Sequence, residues 1–254
     1  VLGAAIATLI AQAVSAVLVT VTLMYRTEGM KLCLSQIRMY KRMLQSILKI
    51  GLPAGFEAIM YSISNIIVQV SINNFGVDTM AAWTAYSKID FIFWMINSAF
   101  GISVMTFVGQ NYGAGKWDRI RRGTKICLGM ALISAVSVSI ILMSAERFLF
   151  GIFVNDVGVV EIGIRMMNVI APAYLLFAFI EVFSGALRAQ GAVVVSTLIT
   201  MVGICVLRMI WVTLVAAHGT LEQVIICYPI TWAAGALAMS IYYIYKQRKI
   251  FQAR

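Results

Sequence analysis

The chain has 254 residues, of which 61% are apolar and only 12% charged, and it carries a formal net charge of +10. A soluble domain averages about 25% charged residues, so this composition excludes one and describes an all-α integral membrane protein; the period-two alternation that a membrane barrel needs is absent. The basic excess does not mark a nucleic-acid partner, because the charges fall in gaps between apolar runs rather than on one face.

Seven apolar runs can each supply the roughly 20 residues that cross a bilayer. They lie near 2–25, 52–75, 80–108, 123–145, 159–187, 192–217 and 223–246. Val1 already stands inside the first run, with no basic region ahead of it and no cleavage site after it. The expectation is therefore a piece of a longer protein.

Between the first two runs, Arg26, Lys31, Arg38, Lys41, Arg42 and Lys49 face one acid, Glu28. Leu34, Ile37, Leu44, Ile47 and Leu48 recur there at near-helical spacing, which predicts a basic amphipathic helix on an anionic membrane surface over 26–50. Sixteen of the twenty Lys and Arg residues fall on one side of the alternating spans, in this link, the 109–125 region, Arg188 and the C-terminal end. That asymmetry makes the basic loops cytoplasmic and predicts an external loop at 147–158.

Charged groups inside spans normally face a cavity or a partner. Glu57 heads a stripe with Tyr61, Ser64, Val68 and Ser71. It either lines an aqueous cavity or makes a structural bond between helices. Asp90 forms a second polar stripe with Trp94, Asn97 and Gly101. Tyr174, Phe177, Glu181, Ser184 and Arg188 share a third face, on which Glu181 either lines a cavity or pairs with Arg188. Pro172 removes one helical bond and makes a static bend or a hinge. Lys88 reads as snorkelling or packed, and Arg208, close to Trp211, as structural.

Signatures of chemistry are missing. No HExxH or GxSxG occurs, the four cysteines (Cys33, Cys127, Cys205, Cys227) form no CxxC, and His218 has no metal-ligand spacing around it. No enzyme activity, cofactor or metal cluster is expected. Gly109 and Gly115 are one position too far apart for a phosphate loop, and Trp117 stands where Ser or Thr is required.

The stretch from Phe107 to Arg119, FVGQNYGAGKWDR, ends an apolar run on Gly109, Gln110, Gly113 and Gly115 before a basic burst. It resembles the turn after the second helix of a lobe in the multidrug and toxic compound extrusion (MATE) transporters. Gly51-Leu-Pro-Ala-Gly55 resembles the start of their second lobe, and Gly185-Ala-Leu-Arg188-Ala-Gln-Gly191 a later turn in that lobe. The three occur in the family's order and spacing.

The resemblance implies a two-lobe, twelve-helix transporter. Residues 1–25 would be the last helix of the first lobe, 26–50 the cytoplasmic link, 51–247 the six-helix C-terminal lobe and 248–254 a tail. It implies a secondary exporter that exchanges H+ or Na+ for amphipathic, often cationic, drugs or toxins. Glu57, Tyr61, Ser64, Asp90, Asn97, Tyr174 and Glu181 would supply substrate or ion contacts, with Na+ at Glu57 or Glu181. The partners implied are a small-molecule substrate, the lipid bilayer and a missing N-terminal lobe, in a bacterial cytoplasmic membrane. The alternatives are a lipid-linked oligosaccharide flippase of the same superfamily, which a cavity rich in Arg and Lys would favour, and a non-transporting seven-helix membrane protein.

Overall fold

A computed structural model of the chain describes residues 2–25, 32, 33, 35, 38–215 and 219–252. Parts of the expected link (26–31, 34, 36 and 37) and His218 lie outside these residues. Seven helical stretches among those described are long and apolar enough to cross a membrane. The backbone divides into two compact units, Val1–Leu48 and Lys49–Arg254.

The first unit is dominated by α1 (Leu2–Tyr25), which contains no charged residue. Its described side chains are mostly exposed, as suits a helix apolar on every side. Thr20 and Thr22 bond back to the carbonyls of Ala16 and Leu18, so these two hydroxyls are satisfied within the helix.

α2 runs unbroken from Lys41 to Asn73, with Pro53 inside it. The second half of the basic link is thus the start of α2 rather than a separate surface helix. Nothing between Lys41 and Ile50 stops a helix, and the charged turns continue into the apolar span. Residues 38–40 are not helical.

The second unit continues with α3 (Val77–Gly113), α4 (Trp117–Ser144), the short α5 (Glu146–Gly151) and α6 (Val157–Ile170). A 3-10 turn at Ala171–Ala173 leads into α7 (Tyr174–Ala189). The next span comprises α8 (Val193–Thr200), wide π-type turns at Met201–Val206, α9 (Leu207–Ile210) and π-type turns again at Trp211–Val215. α10 (Leu221–Ile225) and α11 (Cys227–Gln252) complete it. The expected external loop narrows to residues 152–156, because α5 occupies 146–151. The Asp156 carboxylate starts α6 by accepting from the Gly158 amide at 2.7 Å and the Val159 amide at 3.2 Å, which satisfies two of the donors a helix start leaves open.

α7 is the central helix, packed by α3, α4 and α11, and its Ile180, Val182, Ala186 and Leu187 are buried. Without a hydrophobic drive between helices in lipid, close packing of small residues holds such crossings together. A Cβ added at Gly185 would lie 2.7 Å from the Gly101 carbonyl oxygen, so the α3–α7 crossing depends on glycine there. The Pro172 bend is tied to α4, because Ser139 donates its hydroxyl proton to the Ala171 carbonyl.

The two basic-side turns share one construction. α3 ends with the Lys116 amide bonded to the Asn111 carbonyl and the Gly115 amide to Tyr112; α7 ends with Ala192 bonded to Leu187 and Gly191 to Arg188. Both are Schellman ends, with Gly115 at φ 67 and Gly191 at φ 79 degrees. Gly109 and Gly113 are still helical, so the expected three-glycine turn is a one-glycine turn at Ala114–Lys116. From α11, Lys246 donates to the Gln190 carbonyl at 2.9 Å and Gln247 to the Gln190 side chain at 3.0 Å, sealing the end of α7. Gly191→Ala forces a side chain into the left-handed region. It is expected to cost about 1–2 kcal/mol, read as a lower melting temperature of the purified full-length protein; an unchanged melt removes the turn from the fold's requirements.

Candidate functional site

Two cavities in the second unit hold the acids of the sequence stripes. The first, about 430 Å³, is lined by Glu57 and Tyr61 from α2, Asn97 and Gly101 from α3, and Glu181 and Arg188 from α7. Glu57 is only 8% exposed. One Arg188 terminal nitrogen donates to both Glu57 carboxylate oxygens at 2.7 Å, and the Thr197 hydroxyl adds a bond of 3.0 Å. Arg188 therefore pairs with Glu57 and not with Glu181, the pairing weighed from sequence. Glu181 lies across α3 instead: its Oε1 occupies the space where a Cβ on Gly101 would stand. Gly101 thus makes room for a carboxylate at the cavity wall.

The second cavity, about 540 Å³, is walled by aromatic rings: Trp83, Tyr86, Trp94, Tyr228 and Trp232. Asp90 lines it, accepting from the Tyr174 hydroxyl and from the Trp94 indole. Tyr174 is fully buried and stacks on Phe93 with ring centres 3.9 Å apart, so it positions Asp90 instead of lining either cavity. Tyr61 and Trp94 line both cavities, and Trp94 meets Phe177 and Trp232 edge-on at 4.7 and 6.0 Å. This aromatic group stands where the two cavities meet. Asp90 thus lines one cavity, and Glu57 and Glu181 line the other.

Not every residue on the sequence stripes reaches a cavity. Asn97 does, and it is 4% exposed. Ser64 shares the face of Glu57 and Tyr61 but is fully buried and borders neither cavity. Val68, next on that stripe, is fully buried as well, and Ser71 at its end is half-buried. Pro172 lines a small apolar cleft with Ser139 and Leu175, apart from both cavities. Lys88 is exposed.

Sequence reasoning missed Thr197 entirely and named no partner for Arg208. Trp211 donates its indole proton to the Gln223 carbonyl. The Arg208 guanidinium lies 4.2 Å over the Tyr228 ring and donates to Asn65 at 3.2 Å, on the wall of the second cavity. A charge in an apolar span was the available signal; its partners come from α2 and α11, which no sequence spacing links to it.

A bundle of membrane-length helices that buries ionisable groups beside cavities suits a membrane transporter. The MatE family profile matches residues 53–214, and the chain belongs to that family. Proteins of this family are transporters, not enzymes. Among relatives, the chain is 25% identical over 219 residues to the probable multidrug resistance protein YoeA of Bacillus subtilis, covering 84% of this chain and 47% of that one. It is 23% identical over 230 residues to the multidrug export protein MepA of Staphylococcus saprophyticus, covering 85% and 51%. A solved outward-facing multidrug resistance MATE family transporter of the MOP superfamily superposes with a TM-score of 0.89 at 17% identity, covering 98% of this chain and 57% of that one. A MOP superfamily transporter from Pyrococcus furiosus gives 0.87 at 17%, covering 97% and 56%. The chain thus spans about half the length of the curated relatives it matches.

Proposed function

We propose that this chain is the C-terminal lobe, with its preceding helix, of a two-lobe exporter that exchanges H+ or Na+ for amphipathic, often cationic, small molecules. The observation that carries this reading is the first cavity. Two carboxylates, Glu57 and Glu181, line it, and one of them is held by an internal cation, Arg188. Arg188 and an incoming cation compete for Glu57, while Glu181 offers a second carboxylate to the same space. Alternating access can use such competition, because one site must favour the coupling ion on one side and release it on the other. The names of the multidrug relatives support export of drugs as the broader activity.

The lining counts against the flippase alternative. Each cavity holds one arginine and at least one acid, so neither is the Arg- and Lys-rich pocket that an anionic lipid-linked sugar favours.

The test is ethidium transport by the full-length protein in proteoliposomes. Movement driven by an imposed H+ or Na+ gradient is expected, whereas vesicles holding only residues 1–254 should move none. Gradient-independent leakage, or equal transport by the isolated piece, overturns the two-lobe reading.

Sidedness follows the charge distribution. The turn at Lys116 is assigned to the cytoplasm and residues 152–156 to the outside. Single cysteines at Lys116 and Asn155, in a background lacking the four native cysteines, should react with impermeant maleimide from opposite sides. Reaction from the same side ends this topology.

A further inference from the structure

We propose that Arg208 anchors a second ligand site, in the aromatic cavity, which takes an amphipathic molecule carrying a carboxylate or sulfonate on an aromatic body. Arg208 is 2% exposed, lines that cavity, and leaves its Nε without a hydrogen-bond partner. Among the described residues no carboxylate lies within salt-bridge distance of it; the two ion pairs found are Arg147–Glu161 and Arg188–Glu57. Its contacts are a neutral amide, Asn65, and the face of Tyr228. Asp90 is the one acid lining this cavity, and both its oxygens accept from Tyr174 and Trp94. A buried guanidinium held by neutral groups is a charge-assisted donor awaiting an acceptor.

The surroundings define the rest of the ligand. Trp83, Trp94, Tyr228 and Trp232 offer flat apolar walls to an aromatic body, around a volume of about 540 Å³. Cavities of that size take drug-sized molecules. The helix that carries Arg208 supports the assignment, since π-type turns at Met201–Val206 and Trp211–Val215 bracket it, and such turns concentrate at functional sites. Such a ligand would be a substrate of the exporter proposed above; only its role as a substrate, not its binding, depends on that reading.

The test uses the full-length protein in neutral detergent with two probes, dansylglycine, which carries a carboxylate, and dansylamide, which is neutral. The tryptophans lining the cavity report binding by energy transfer to the dansyl group. Dansylglycine is expected to bind about tenfold more tightly than dansylamide, as a charge-assisted bond provides, and benzoate should displace it. Arg208→Gln should bring the dansylglycine affinity down to that of dansylamide, while Arg208→Lys should keep part of the preference. If Arg208→Gln does not fold, the wild-type comparison still decides. Equal affinities for the two probes, or a preference that survives Arg208→Gln, overturn the proposal. So does displacement by phosphatidylglycerol but not by benzoate, which would assign the guanidinium to a lipid phosphate. A protein that exports ethidium yet shows no preference sinks this site and spares the exporter; one that prefers dansylglycine but moves no ethidium does the reverse.

Discussion

Glu57→Gln in the full-length protein is expected to lower gradient-driven efflux at least tenfold, equivalent to about 1.4 kcal/mol in the barrier, while folded protein is still obtained. The amide keeps the shape of the side chain and can still accept from Thr197, so the α2–α8 contact survives. What is lost is the anion that Arg188 and a coupling cation share. The Arg188 side chain is 27% exposed and that of Glu57 11%, so water can partly replace the lost partner. Loss of the charged bond is therefore expected to cost about 1–3 kcal/mol of stability, not the whole fold.

A purely structural ion pair predicts something different. In that case Arg188→Gln would relieve the unpaired cation, and the double variant would recover both stability and efflux. The exporter reading predicts recovered stability without recovered coupling, because the shared carboxylate remains absent. Glu57→Asp should keep part of the activity with an altered dependence on pH or Na+. Normal expression of Glu57→Gln with unaltered ion dependence would show that Glu57 only packs.

The largest structural effect is expected at Gly185. A methyl group there meets a backbone oxygen of Gly101 at 2.7 Å and the Val104 side chain at 2.9 Å, and a helix backbone cannot swing aside as a side-chain tip can. Gly185→Ala is expected to cost about 1–3 kcal/mol by overpacking, and Gly185→Leu to leave little folded protein in the membrane fraction. Gly101 lies in the same crossing and accommodates the Glu181 carboxylate. A destabilised but folded Gly185→Ala protein should therefore also transport poorly, because α3 must move relative to Glu181. A Gly185→Leu protein with a wild-type melt and wild-type efflux would show that the α3–α7 crossing does not depend on close approach.

The sequence by itself determined the parts of this protein that depend on composition and local chemistry. Long uncharged runs forced membrane helices, since lipid leaves backbone groups no partner outside the helix. Gly115 and Gly191 fixed the two left-handed turns, because a side chain there is strained. Ordered motifs around Gly51, Gly109 and Gly185 were enough to name the family. Charges within spans marked Glu57, Asp90 and Glu181 as residues in need of a partner, because burying them alone is costly.

Only the tertiary structure decided who those partners are. Glu57 and Arg188 are bonded from α2 to α7, 131 residues apart, and periodicity on one helix carries no information about the helix packed against it. Helical spacing placed Ser64 beside Tyr61, yet packing buried one and left the other on a cavity wall. For Arg208 the sequence named no partner, and the folded chain supplies Asn65 and Tyr228. A stripe on a helix states which residues share a face; the neighbouring helices decide whether that face meets core, cavity or lipid.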